Sequence, residues 1–280
     1  VSLRDLILAR PSKPISDLMK TEILKVNVHT DQEEVATQIE KYDLIAIPVV
    51  DNEGRLVGIV THDDAMDIMQ QEAQEDIEKI MGIAGSHEVG EYLRSSPWAH
   101  FRSRIPWIAG LSVLSIGTAL ILHRFEGEMN ALLILALYVP MITGVGGNVG
   151  SQATTVVVRA IAIKDVEPIM ADVVRVMLKE LGVALMIAAV IVTIMFAKFW
   201  LVSGSATHPE HLSLLRIALT IALAAGLQVV SATMLGATLP LLAARLKLDP
   251  ALIASPALTT SADITGLLIY FVTAKVMLGI

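Results

Sequence analysis

Five long stretches almost free of charge fill the second half of the chain and limit its folding more than any other feature. Ile105 to Leu122, Ala131 to Val158, Leu181 to Ala197 and Ile217 to Ala244 contain no charged residue, and Ala251 to Ala274 contains one, Asp263. A helix needs about 20 apolar residues to cross about 30 Å of hydrocarbon, so each run has the length of a membrane span. With 54% hydrophobic and 18% charged residues and a mean hydropathy of +0.64, the chain is too apolar for a water-soluble pair of domains. The runs around Pro140 and Pro240 are long enough to tilt or break.

Charge divides the chain in two. Residues 1 to 100 hold 9 Lys and Arg against 19 Asp and Glu, a net −10, whereas residues 101 to 280 hold 12 against 9, a net +3. An acidic soluble module joined to a slightly basic membrane module disfavours nucleic acid and anionic lipid as partners of the first half and favours cations. Arg94, Arg102 and Arg104 precede the first run, Arg159, Lys164, Arg175 and Lys179 separate the second from the third, and Arg245 and Lys247 separate the fourth from the fifth. The positive-inside rule places these segments and the acidic module in the cytoplasm and the C-terminus outside. The absence of cysteine excludes disulfides, thiolate metal sites and a cysteine nucleophile.

In the acidic module, Asp31 to Glu34 offers an N-cap and early acids for a helix carrying Val35, Ile39 and Tyr42. Ile45 to Val50 and Leu56 to Val60 read as strands joined by the turn Asp51-Asn52-Glu53-Gly54, and Thr61-His62-Asp63-Asp64 opens a helix with Ala65, Ile68 and Met69. Gly58, Ile59, Val60, Thr61 and Asp64 give this stretch a resemblance to a CBS domain, a hairpin followed by a turn into a helix. CBS domains come in pairs, and Val1 to Ala9 resembles the last helix of a preceding one, so the chain is expected to begin inside a longer parent. The resemblance implies that Thr61 and Asp64 would hold the ribose and phosphate of a nucleotide such as ATP. The alternative, favoured with half the pair missing, is that Thr61 caps the helix and Asp64 complements its dipole.

From Asp63 to Glu91 an acidic series runs toward the membrane, and Gln70 to Met81 contains a single cation, Lys79. Glu72, Glu75 and Asp76 can share a helical face. Each residue by itself reads as a solvated surface charge; together they would be relieved by a hard divalent cation bound through carboxylate oxygens and retained water.

Within the spans, Asp263 is the one charged side chain, thirteenth in its 24-residue run. A carboxylate near mid-bilayer costs about 3 kcal/mol on insertion scales and persists where it faces protein or water. Ser255, Thr259, Asp263, Gly266, Tyr270 and Thr273 recur at helical spacing as one polar or small stripe. The second run holds four glycines between Gly144 and Gly150, permitting close backbone approach or local unwinding, and a second stripe of Asn148, Gln152, Thr155 and Arg159. For Gly146 and Gly150, small-residue helix packing competes evenly with a pore role. Gly226, Gln228, Ser231, Thr233, Gly236, Thr238 and Pro240 add to a polar interior. No His-Glu-x-x-His or Gly-x-Ser-x-Gly motif occurs, and Asp263 has no second intramembrane carboxylate, so the chain does not read as an enzyme.

Tyr138-Val139-Pro140, Gly146 to Gln152, Arg159-Ala160 and Asp263 to Tyr270, in that order, resemble the MgtE family of bacterial magnesium channels. The resemblance covers essentially the whole chain. It implies a tail of one CBS domain at 1–10, a CBS domain at 11–72, a connecting plug helix at 73–102 and a five-helix pore domain at 103–280. The implied fold is thus an α-helical membrane protein, five transmembrane helices per subunit, with an N-terminal cytoplasmic α/β CBS domain. It further implies a homodimer in the bacterial plasma (inner) membrane, with Asp263 of each subunit holding hydrated Mg2+ in a central pore lined also by Ser255, Thr259, Gly147 and Asn148. Glu75, Asp76, Glu88 and Glu91, with Asp249 at the pore mouth, would form a cytoplasmic Mg2+ sensor that closes the channel. The family's acidic N-terminal domain and most of the first CBS domain are expected to be missing, which bears on gating. Two other readings remain: a divalent-cation or proton-coupled transporter in which Asp263 cycles its proton, and a non-transporting CBS sensor anchored by helices.

Overall fold

The computed structural model describes residues 1, 3–19, 22–83, 93–203, 212–250 and 256–279. Two compact units divide between Gln74 and Glu75.

In the first unit, a short helix α1 (Leu3–Leu8) precedes a three-stranded sheet in the order β1 (Val26–Asn27), β2 (Ala46–Val50), β3 (Leu56–Thr61). β1 lies parallel to β2 and β3 antiparallel to it, with Pro48 opposite Ile59 in the central strand. The proline is tolerated because β1 pairs only with Val49 and Val50, so β2 is an edge at Pro48. Helix α2 (Gln32–Lys41) starts where expected, the Asp31 carboxylate accepting from the Glu33 amide at 2.9 Å. Val35, Ala36 and Ile39 bury against Val26, Ile47 and Ala65. Tyr42, expected on that apolar face, is instead the C-cap residue and is half exposed, since the helix ends one residue before it. Helix α3 (His62–Ile80) follows β3 directly, so the division expected at residue 72 falls inside a helix.

In the second unit, α3 ends in a left-handed cap. Gly82 has φ +71°, and the Ile83 amide donates to the Glu78 carbonyl at 2.9 Å, closing the last turn. A Cβ on Gly82 would overlap the Trp107 indole, so that residue must also be small.

Five helical stretches are long and apolar enough to cross a membrane. The first comprises α4 (Pro97–Leu114) and α5 (Ile116–Arg124), separated by Ser115. It begins eight residues before its uncharged run because the Ser96 hydroxyl caps it, accepting from the Ala99 amide at 3.2 Å. After a short α6 (Glu126–Ala131) come α7 (Leu133–Ala162), α8 (Met170–Ser203), α9 (Leu214–Arg245) and α10 (Pro256–Leu278). α9 lies between α7, α8 and α10 and is the most enclosed span, while no residue of the α4 and α5 apolar window is buried. Tyr138, Ile142, Phe199, Ile221, Tyr270 and Phe271 fill the main core.

α7 is one continuous helix through Gly144 to Gly150, so close approach, not unwinding, is the use of its glycines. A Cβ on Gly236 of α9 would overlap the Gly150 carbonyl of α7. There Thr154 donates its hydroxyl to the Gly236 carbonyl at 2.9 Å. Pro240 lacks the amide that would otherwise serve this carbonyl, so a side chain from the neighbouring helix replaces the lost bond. Nearer the other end, the Tyr270 hydroxyl of α10 donates to the Leu135 carbonyl of α7 at 2.8 Å.

Candidate functional site

Asp263 is the eighth residue of α10, about 10 Å along the helix axis from Pro256. The side chain is half-buried. Among the described residues it has no hydrogen-bond donor and no cationic partner. A carboxylate on a span with neither is open to a cation from solution, since leaving it charged and unpaired in a low-dielectric setting is costly.

The polar stripe on α10 divides in two. Gly266 and Tyr270 are buried against α9 and α7, whereas Thr259 and Asp263 are half-buried. The stripe covers about 80° of helix circumference at 100° per residue, and Asp263 lies at its edge. Helices α7 and α10 bring Gly147 and Thr259 together: a Cβ on Gly147 would come within 3.2 Å of the Thr259 methyl. Gly147, like Gly146 and Gly150, is buried at a helix contact. Asn148 is exposed, as are Gln152, Thr155 and Arg159, which form a continuous polar face on α7. Ser255 lies outside the described residues.

Of the expected sensor residues, Glu75 and Asp249 are brought together by Lys79. Its ammonium lies 2.9 Å from Glu75 Oε1 and 3.2 Å from Asp249 Oδ2. The hydrogen bond to Glu75, then that to Asp249, raises the Lys79 pKa above the usual lysine value despite partial burial. Asp76 is exposed, and Glu88 and Glu91 lie outside the described residues. Among the described residues no three acidic or histidine side chains converge as a metal cluster.

Thr61 donates both its backbone N–H, at 3.1 Å, and its hydroxyl to one oxygen of Asp64. The carboxylate three residues into the helix thus satisfies the amide at the helix start, half of a capping box. Thr61, expected to accept from the helix as its cap, donates in these two bonds, and Asp64 is the acceptor.

Two side chains carry more than sequence reasoning gave them. Glu180 of α8 is 8% exposed, with no hydrogen bond or ion pair among the described residues. It stands beside Lys179, immediately before the third uncharged run. Gln228, expected only as part of a polar interior, is fully buried where α7, α9 and α10 meet. Its Nε2 donates to the Ala262 carbonyl at 2.8 Å.

A family described as MgtE, divalent cation transporter, matches residues 139–273, and the CBS domain family matches residues 15–71. The magnesium transporter MgtE of Thermus thermophilus is 40% identical over 279 residues, 99% of this chain and 59% of that protein. That of Bacillus subtilis is 34% identical over 271 residues, 97% of this chain and 57% of that protein. The chain thus spans under three fifths of the length of these relatives. A crystal structure of the cytosolic domain of the Mg2+ channel MgtE in complex with ATP is 51% identical where it aligns. It covers 24% of this chain and 27% of that one, with a TM-score of 0.24, too low to compare the folds. With both matched regions in order and similarity running along nearly its whole length, the chain belongs to the MgtE family, carrying a CBS domain ahead of a five-helix membrane domain.

Proposed function

We propose that the chain conducts magnesium across the bacterial plasma membrane as a homodimer, with Asp263 of each subunit at the ion site. The observation that carries this reading is the Asp263 carboxylate, half-buried on a span and without cation or donor among the described residues. Two such groups about a twofold axis balance the charge of one dication. Magnesium sheds water reluctantly, so the carboxylates would hold the hydrated ion through its waters, firmly enough to select it and weakly enough to release it. Thr259 and Asn148 offer neutral oxygens near the same path. Gly147 contributes by letting α7 approach α10.

Gating in this reading is a population shift driven by cytoplasmic magnesium at Glu75, Asp76, Glu88, Glu91 and Asp249. Moving from 99% open to 99% closed takes roughly 5.5 kcal/mol of differential binding, which several weak sites supply jointly. Magnesium reaching Glu75 and Asp249 would displace the Lys79 ammonium that joins them. Thr61 and Asp64 act as the cap of α3; ATP bound there would have to replace the bonds they make to each other. The acidic module is cytoplasmic, on the side of the Arg and Lys clusters.

The deciding experiment is magnesium uptake into liposomes by the purified chain and its Asp263→Asn variant, with and without a proton gradient. The proposal expects flux without a gradient and its loss in the variant. Equal rates for the two proteins overturn the ion-site assignment, and flux that needs the gradient favours a proton-coupled carrier.

A further inference from the structure

We propose that Gln228 is a positioning residue for Asp263, setting magnesium affinity and selectivity through α10 rather than by touching the ion. The inference rests on Asp263 being the ion site.

The Gln228 side chain projects from α9 into the junction with α7 and α10. Gly146 and Gly266 both face its amide: a Cβ on either would overlap the side chain, on Gly266 at 2.6 Å from Nε2. Two helix backbones are thus held against one amide as closely as glycine allows. The Nε2 donor meets the carbonyl of Ala262, the residue immediately before Asp263. That carbonyl also accepts from the Thr265 hydroxyl at 3.2 Å. The opposite orientation of the amide would set its oxygen against the carbonyl oxygen, so the donor belongs where it is.

Asp263 is therefore bracketed. One turn before it, Thr259 rests on Gly147 of α7; at its own level and one turn beyond, Gln228 grips the Ala262 carbonyl and abuts Gly266. A helix fixed on both sides of a residue fixes that residue's Cα. Because a pore carboxylate acts on waters at defined distances, its placement governs affinity and discrimination among dications.

The other half of the amide marks this as more than a packing device. The Gln228 Oε1 atom is buried and has no hydrogen-bond partner among the described residues. A buried orphan acceptor weakens the fold, and a methionine of similar shape would remove it while keeping the volume. Stability and ion binding should then move in opposite directions, which a merely structural glutamine would not produce.

The test is Gln228→Met in the full chain, reconstituted in liposomes, beside wild type and Asp263→Asn. Its melting temperature is expected to match or exceed wild type. Its half-saturating magnesium concentration should rise about five-fold, the weight of one ordinary hydrogen bond, and its preference for magnesium over calcium should relax. Unchanged half-saturation and selectivity overturn the proposal. A chain that melts several degrees lower or does not fold also overturns it, since Gln228 would then be a structural bolt. Full transport by Asp263→Asn, by contrast, strikes the ion-site reading itself.

Discussion

Lys79 and Asp249 form an ion pair at 3.2 Å, and the same ammonium lies 2.9 Å from Glu75, so two carboxylates proposed above to sense magnesium share a cation already built into the chain. Any ion that binds them competes with Lys79. Lys79→Met should therefore lower the internal magnesium concentration that half-closes the channel, by about three-fold given the modest strength of partly exposed pairs. Liposome flux titrated with internal magnesium measures it; an unchanged or higher half-closing concentration would remove Lys79 from the gate.

The Thr154 and Tyr270 hydroxyls both donate to backbone carbonyls across helices, and their removal should differ in cost. Leu135 lies within α7 and keeps an intrahelical amide, whereas Pro240 leaves the Gly236 carbonyl dependent on Thr154. Thr154→Val is expected to destabilise the membrane unit by about 1 to 3 kcal/mol, with recovery in Thr154→Ser, and Tyr270→Phe by about 1 kcal/mol or less. Unfolding in detergent would rank them, and a Tyr270→Phe penalty larger than that of Thr154→Val contradicts the assignment.

The Glu128 carboxylate, 13% exposed, pairs with Lys275 at 3.2 Å. Its pKa is held below the usual 4.5, first by a hydrogen bond from its own amide and then by Lys275. A depressed carboxylate contributes stability that is complete above its unfolded value and disappears as pH falls through its folded value. The melting difference between wild type and Glu128→Gln should accordingly be flat from pH 6 to 8 and shrink below about 4.5. A difference that stays unchanged through this acid range would show the bridge to be inert.

At the end of α3, Gly82→Ala meets two obstacles, a positive φ and the Trp107 indole. The left-handed conformation alone costs an alanine about 1 to 2 kcal/mol. The variant is expected to lose at least that much stability and to red-shift Trp107 fluorescence as the ring is pushed toward water. Wild-type emission and melting would mean that the cap relaxes freely.

Much of this architecture is legible in the residues because its causes are local. Charge-free runs mark the spans, Asp31 and the Asp51 to Gly54 turn mark the CBS elements, and Asp263 is visible by being charged where its neighbours are not. Helix ends proved less legible: α4 starts at Pro97 because Ser96 caps it, a signal that hydropathy does not carry. The α10 stripe read as one face, yet an arc that wide reaches both the core, at Gly266 and Tyr270, and the half-buried edge, at Asp263. Lys79 looked like a lone cation in an acidic helix because Asp249 lies 170 residues away. Ser255, Glu88 and Glu91 fall outside the described residues.

The Thr154 to Gly236 bond also orders assembly. During synthesis the donor precedes its acceptor by 82 residues, so the earlier helix is already available when the proline-interrupted one leaves the ribosome. The α9 backbone that Pro240 leaves incomplete in lipid is thus finished by a helix made before it.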